Sequence, residues 1–185
     1  MMARAFFTGR DSKVKTLILC SSVHGHTRLI CERIQSQLVA MGEEVTLAGL
    51  TEAPELSEFD KVLIGASIRH GKHQANVVSF MIQHRELLQQ KICGFFSVSL
   101  VARKPGKNTP ETNAYMQTFL TQINWQPPIL EVFGGRLNYP GYGVVDRNII
   151  RFIMWVTKGP TAADTDITFT DWDKVSALAV RFLQA

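Results

Sequence analysis

Hydroxyl side chains crowd one short stretch, Ser21-Ser22-Val23-His24-Gly25-His26-Thr27, which holds no lysine or arginine and a single glycine. The apolar run Thr16 to Cys20 leads into it, and a helical pattern from Thr27 to about Met41 follows. A strand–loop–helix junction of this kind aims several unpaired backbone N–H groups, and the positive end of the helix dipole, at one point. That point can hold a phosphate. Ser21, Ser22 and Thr27 add hydroxyl donors. Hydroxyls and amides without a cation suit a cofactor that stays bound through many turnovers and suit a nucleoside triphosphate poorly. The Walker pattern ends in Gly-Lys-Ser/Thr, whereas Gly25 is followed by His26-Thr27. The dinucleotide fingerprint needs three spaced glycines, and here there is one. His24 can hydrogen-bond the phosphate or face solvent. His26 is expected to bind through its backbone, with its side chain in solvent.

Other chemistries lack their residues. His24 and His26 are two apart and His70 and His73 three apart, with no cysteine or acid beside either pair, so no metal spacing appears. No Gly-x-Ser-x-Gly occurs, and no residue stands out as a catalytic base. Cys20, Cys31 and Cys93 are too few for a disulfide framework. They read as buried free thiols in a reducing compartment.

The elements that must position the loop follow from hydrophobic period. At 185 residues, 45% hydrophobic and 19% charged, the chain suits one folded domain. No apolar run is long enough to span a membrane. The net charge of +4 is uneven. Residues 1–13 carry Arg4, Arg10 and Lys13 against Asp11, and residues 136–158 carry Arg136, Arg147, Arg151 and Lys158 against Asp146. A nucleic-acid binder would show a wider basic face, so no nucleic acid is expected. Residues 1–13 read as an N-terminal extension and residues 14–185 as the domain.

Strands are expected at Val14–Cys20, Glu44–Leu50, Lys61–Ile68, Ile92–Leu100 and Ile129–Leu137. Helices are expected at Thr27–Met41, Ala75–Gln89, Pro110–Asn124 and Trp172–Leu183. The run Val62-Leu63-Ile64-Gly65-Ala66 is apolar throughout, as a strand covered on both faces should be. Alternation of strand and helix predicts a parallel sheet with helices on both sides. Five strands with a phosphate loop after the first fit a doubly wound, flavodoxin-like order 2-1-3-4-5. Ligands of such sheets sit beyond the carboxyl ends of the strands, where Ser21–Thr27, Ser67–His73 and Ser97–Pro110 converge. Arg69 and His70 then lie on the ring side of the site or in a solvated loop. Flavin mononucleotide (FMN) fits this frame, its phosphate on the first loop and its ring between the other two.

One segment, about 138–168, exceeds a minimal five-strand fold. It opens with the turn-rich Asn138-Tyr139-Pro140-Gly141-Tyr142-Gly143. A helix follows over Asp146 to Thr157, with Arg147 and Arg151 four apart on one side and Gly159-Pro160 as its stop. An apolar helix with two arginines can lie on a bilayer surface, line a greasy substrate site or pack against the sheet.

From Val14 to the last helix the sequence resembles the flavodoxin-like, quinone-dependent protoporphyrinogen IX dehydrogenases of bacterial haem synthesis. The stretches that carry the resemblance are Ile64-Gly65-Ala66-Ser67-Ile68-Arg69 and Ser97-Val98-Ser99-Leu100-Val101-Ala102-Arg103-Lys104-Pro105. Thr109-Pro110-Glu111-Thr112-Asn113, Gly135-Arg136-Leu137-Asn138-Tyr139-Pro140 and Thr170-Asp171-Trp172 add to it. The resemblance implies FMN as cofactor and six-electron oxidation of protoporphyrinogen IX. Menaquinone or ubiquinone would re-oxidise the flavin, with the protein attached peripherally at the cytoplasmic face of the inner membrane. It assigns FMN to Ser22, Val23, His24, Gly25, His26 and Thr27, to Ser67, Ile68 and Arg69, and to Ser97, Val98, Ser99, Leu100, Val101 and Ala102. His24 departs from the pattern: flavodoxins usually carry a hydroxyl residue there and the closer family an acid. The chemistry would centre on the flavin, with no protein base. Arg147 and Arg151 on the insert, and Arg103 and Lys104, are the candidates for the substrate's propionates.

The same frame serves two other functions. A flavodoxin-type electron carrier has no organic substrate, but such carriers are typically strongly acidic. An NAD(P)H:quinone reductase would bleach its flavin rapidly with NADPH. A domain that has lost its flavin would purify colourless. The sequence leaves homo-oligomerisation open.

Overall fold

Five parallel strands form the centre of the chain in a computed structural model that describes residues 13–185. Residues 1–12, most of the expected extension, lie outside the described residues. The strands are β1 (Lys15–Ser21), β2 (Glu44–Gly49), β3 (Lys61–Arg69), β5 (Ile92–Ser99) and β6 (Ile129–Gly134), and they lie in the order β2-β1-β3-β5-β6. This is the 2-1-3-4-5 order expected of the sequence. A short strand between them, β4 (Lys72–His73), pairs antiparallel with the end of β3. The expected loop after Ile68 is therefore a tight hairpin, turned by His70 at φ 49° and Gly71 at φ 78°.

Alternate strand residues feed two cores. Leu17, Leu19, Val62, Ile64 and Phe95 meet Val77 and Met81 of α2 (Ala75–Gln83) and Phe119 of α4 (Ala114–Ile123). Ile18, Leu63, Phe96 and Phe133 meet α1 (His26–Ala40) and α6 (Trp172–Gln184) through Ile34, Val175 and Phe182. Burial on both faces is why β3 reads as an unbroken apolar run rather than an alternating one.

Several boundaries differ from expectation for local reasons. The helix expected over Ala75–Gln89 breaks at His84 into α2 and α3 (Arg85–Gln89). The next helix starts at Ala114, not Pro110. Asn113 caps it, its Oδ1 accepting from the N–H groups of Tyr115 and Met116 at 3.1 Å each, while Pro110 and Glu111 lie in the turn before it. Side-chain capping outcompetes proline as a start signal when the two conflict. Strand β6 ends at Gly134 rather than Leu137. A Cβ at Gly134 would run into the Phe169 carbonyl, and the Phe169 N–H reaches the Gly135 carbonyl at 2.9 Å.

Past that crossing the chain leaves the sheet. β7 (Arg136–Asn138) pairs antiparallel with β8 (Asp166–Thr168), and α5 (Val144–Val156) lies between them. A bidentate pair, Arg136 to Asp166 at 2.7 and 2.6 Å, closes the ribbon. Leu137, Tyr139, Tyr142 and Met154 form a small core of their own. Tyr139 is fully buried and donates its hydroxyl to the Pro160 carbonyl at 2.7 Å.

The amino edge of the sheet is held by one buried cation. Lys61 Nζ donates to Glu43 Oε1 at 3.0 Å and to the Phe182 and Leu183 carbonyls at 3.1 and 2.8 Å. It thereby satisfies the last turn of α6, whose carbonyls have no helical partner. Both side chains of the pair are under a tenth exposed. Lys61→Ala leaves the Glu43 charge buried without its cation. A loss of about 3–5 kcal/mol is expected, read from urea unfolding; a loss within experimental error would contradict this role.

Candidate functional site

A cleft of about 220 Å³ opens at the carboxyl ends of β1, β3 and β5. One water needs roughly 10–15 Å³ on the same measure, so the cleft admits a sizeable ring system. Its position is the switch point of the strand order, between β1 and β3.

The first wall is the β1–α1 loop. Gly25 takes φ 82° at the N-cap of α1, and no side chain caps the helix. No acid occupies the first turn. Ser22 Oγ is buried without a partner among the described residues. An uncapped helix start beside an unpaired hydroxyl is a donor set for an anion. The Ser67 hydroxyl donates to the Ser21 carbonyl at 3.4 Å and ties this loop to β3.

His26 does not face solvent as expected. It is half-buried, and its Nε2 lies 2.6 Å from Thr170 Oγ1. The Thr170 hydroxyl donates to the Gly134 carbonyl at 2.6 Å. Its proton being committed, Thr170 accepts from His26, so Nε2 carries the ring proton. Burial, and then the nearby Arg136 charge, hold the imidazole below its ordinary value. The ring is neutral at pH 7, and Nδ1, buried and unpaired, is a bare acceptor. His24 is exposed, its ring 4.9 Å from that of Tyr142.

The second wall is the hairpin after β3. Arg69 Nη2 donates to Asp146 at 3.0 and 3.3 Å, and His70 Nε2 lies 3.5 Å from the same carboxylate. Desolvation pushes the Asp146 carboxyl up, yet the Arg69 hydrogen bond and charge, with His70, hold it below its ordinary value. Asp146 sits in the first turn of α5 and does not cap it; Gly143 occupies the cap position.

The third wall is the turn after β5. Leu100–Arg103 form a 3₁₀ turn, with Ser99 Oγ accepting from the Ala102 N–H at 3.3 Å. Arg103 spends its guanidinium on structure: it donates to the Leu100 carbonyl at 2.8 Å and Thr157 Oγ1 at 3.1 Å. Lys104 and Lys107 also line the cleft, and neither ammonium has a partner among the described residues.

The roof is α5. Asp146, Ile149, Ile150, Ile153, Met154 and Thr157 face the cleft, a spacing that marks one side of a helix.

Most expected positions therefore meet: Ser22, Val23, His24, His26, Thr27, Ser67, Ile68, Arg69, Val98, Ser99, Leu100, Val101, Arg103 and Lys104 all line the cleft. Five do not. Gly25 is absent from the cleft lining and lines, with Ser22, an adjoining groove on the other side of the loop. Ala102 is buried behind its turn. Ser97 is buried with its Oγ 3.0 Å from His73 Nε2. Arg147 and Arg151 lie off the cleft face of α5, and Arg151 donates to the Thr161 carbonyl at 3.1 Å. Sequence reasoning missed Lys107, Asp146 and Tyr142. Tyr142 is buried at the cleft edge with its hydroxyl donated to the Arg136 carbonyl at 2.9 Å. An aromatic inside the turn-rich stretch 138–143 was the available signal.

Comparison with known proteins gives one answer at two levels. The family model described as Flavodoxin domain matches residues 17–164. Protoporphyrinogen IX dehydrogenase (quinone) of Escherichia coli strain K12 is 39% identical over 168 residues, covering 90% of this chain and 93% of that protein. The Leishmania major protein of the same name is 40% identical over 173 residues, covering 91% and 74%. A solved flavodoxin from the domain Archaea superposes with a TM-score of 0.52 at 14% identity, over 92% of this chain and 97% of that one. That likeness concerns the fold alone.

Behind the cleft, His73 supplies a pH test. Burial between Phe95 and Phe119 pushes its imidazole from 6.5 down to about 4. The unfolded chain takes the proton as pH falls below about 6.5, whereas the native state refuses it until about 4. Native stability from this group is therefore complete above that window and falls by roughly 3 kcal/mol as pH drops through it. His73→Gln keeps a partner for Ser97 and does not titrate. The difference in unfolding free energy between wild type and His73→Gln is expected to shrink by that amount from pH 7 to 4. A difference that does not vary with pH would contradict it.

Proposed function

We infer function from the premise that this chain belongs to the Flavodoxin domain family and, within it, to the quinone-linked protoporphyrinogen IX dehydrogenases. It is an FMN-dependent oxidoreductase that converts protoporphyrinogen IX to protoporphyrin IX with a quinone as electron acceptor. The observation that carries this reading on the chain's own residues is the apolar roof that α5 lays over the cleft. An electron carrier needs no such roof, and a large apolar macrocycle does.

When bound, FMN supplies the hydride-accepting ring. The residues present fit it. The uncapped start of α1 and the unpaired Ser22 hydroxyl take the phosphate. His26 Nδ1, a bare acceptor, suits a ribityl hydroxyl and not a phosphate dianion. Ile68 and Val98–Val101 would give the ring backbone and apolar contact, and Tyr142 also lines the cleft. Ile149, Ile150, Ile153 and Met154 exclude water and give the macrocycle an apolar bed. Lys104 and Lys107 line the cleft without a partner among the described residues and would receive the propionates. Arg103 holds the turn that presents them. The two arginines of α5 are withdrawn from that role, because they lie off the cleft face. We propose further that the protein meets its lipid-soluble acceptor peripherally at the cytoplasmic face of the inner membrane.

Three measurements test this. FMN-loaded protein is incubated under low oxygen with protoporphyrinogen and a soluble quinone. Porphyrin fluorescence is expected to rise only when protein and quinone are both present; no rise above spontaneous oxidation would refute the activity. Lys104→Gln and Lys107→Gln are each expected to raise KM about two- to fivefold, the scale of an exposed ion pair, with kcat unchanged. An unchanged KM in the double variant would remove them from the substrate site. Ser22→Ala is expected to weaken FMN binding about tenfold or more, as loss of a hydrogen bond to a charged group does. Titration of flavin fluorescence reads it, and an unchanged Kd would exclude Ser22 from the phosphate site.

A further inference from the structure

Helix α5 is apolar on both sides. Its cleft face is accounted for by Ile149, Ile150, Ile153 and Met154. The opposite face carries Val144, Val145, Phe152, Trp155 and Val156, and nothing among the described residues covers it. Trp155 is 70% exposed, Val145 71% and Phe152 63%. The Phe152 and Trp155 rings lie beside one another, with centroids 6.1 Å apart. The exposed Asn148 lies among them, and around it two neighbouring aromatics and three valines make an apolar surface of a size that a protein exterior rarely presents.

Charge decides what covers it. Arg147 and Arg151 are four apart on the helix, which places them together along the edge of this face, and Lys158 follows just past its end with φ 56°. None of the three takes part in an ion pair among the described residues. The helix holds one acid, Asp146, and Arg69 and His70 engage it on the cleft side. A second copy of the chain would meet this edge with the same cations and no acid to answer them. Anionic lipid headgroups answer it, with the apolar residues in the acyl boundary and the basic ones at the phosphates. Thirteen residues make a helix of about 20 Å, too short to cross a bilayer.

We propose that the outward face of α5 is a docking surface for anionic lipid, lying in the plane of the membrane, and that it sets the cleft one helix thickness from the bilayer. This rests on the proposed function for its purpose: quinone and macrocycle, both apolar, then pass between lipid and cleft around a single helix of about 10 Å diameter. Phe152 and Trp155 act in docking and lie outside the cleft lining.

The test uses FMN-loaded full-length protein and vesicles of phosphatidylcholine alone or with about one-third phosphatidylglycerol. Wild type is expected to float with the mixed vesicles at least tenfold more than with the neutral ones. Phe152→Ser with Trp155→Ser is expected to abolish flotation while flavin content, circular dichroism and turnover with soluble quinone stay unchanged. Trp125 and Trp172 lie elsewhere in the fold, so brominated lipid should quench emission in wild type and not in Trp155→Phe. No flotation of wild type, or flotation undiminished in the double variant, overturns the proposal. A dimer in sedimentation that the same double substitution abolishes, without lipid binding, assigns the face to a second copy and also overturns it. Absence of porphyrin formation by wild type with soluble quinone would sink the proposed function and leave the flotation result to be read by itself.

Discussion

Two backbone segments touch where β6 ends, and the cleft hangs from that contact. The Phe169 N–H reaches the Gly135 carbonyl, the Thr170 hydroxyl reaches the Gly134 carbonyl, and His26 donates to Thr170. Only a residue without Cβ fits at Gly134, because the Phe169 carbonyl fills the space. The outgoing and returning arms of the insert are thus pinned together, and both are tied to the first turn of α1. The last two of these bonds choose the His26 tautomer. A shift at this node would move the roof, the phosphate loop and the imidazole together.

The division of labour above that node is plain. The sheet and α1 provide the uncapped helix start and the Ser22 hydroxyl of the first wall. The groups proposed above for the substrate, Lys104, Lys107 and the cleft side of α5, come from the turn after β5 and from the insert. Arg69 bridges the two regimes: it projects from the sheet yet engages Asp146 of the roof. Arg103 ties the turn to Thr157, while Lys104 and Lys107 beside it have no partner among the described residues.

The sheet was legible because each strand is an apolar run closed by polar or turn residues, and five such runs with a loop after the first admit few orders. Less legible were places where two local signals compete. Pro110 marks a helix start by itself, and Asn113 overrides it by capping. Gly134-Gly135 looks like strand continuation until Phe169 is known to lie against it, a contact 34 positions distant that no window of sequence contains. The orientation of α5 was the largest gap. Arg147 and Arg151 share a side by spacing, but a helix apolar almost all round does not say which apolar side faces inward. The full burial of Met154, with Ile149, Ile150 and Ile153 lining the cleft on the same side, answers that, and it turns the arginines away from the cleft. His26 was misjudged because its partner, Thr170, sits at the far end of the chain.

The insert begins and ends at adjacent points. Gly135 and Phe169 are hydrogen-bonded neighbours, so the roof is a loop whose two feet share one footprint on an otherwise finished sheet. Such a segment can be lengthened, exchanged or lost with little strain on the strands beneath it. The apolar roof can therefore change in length or sequence while its attachment to the end of β6 stays the same.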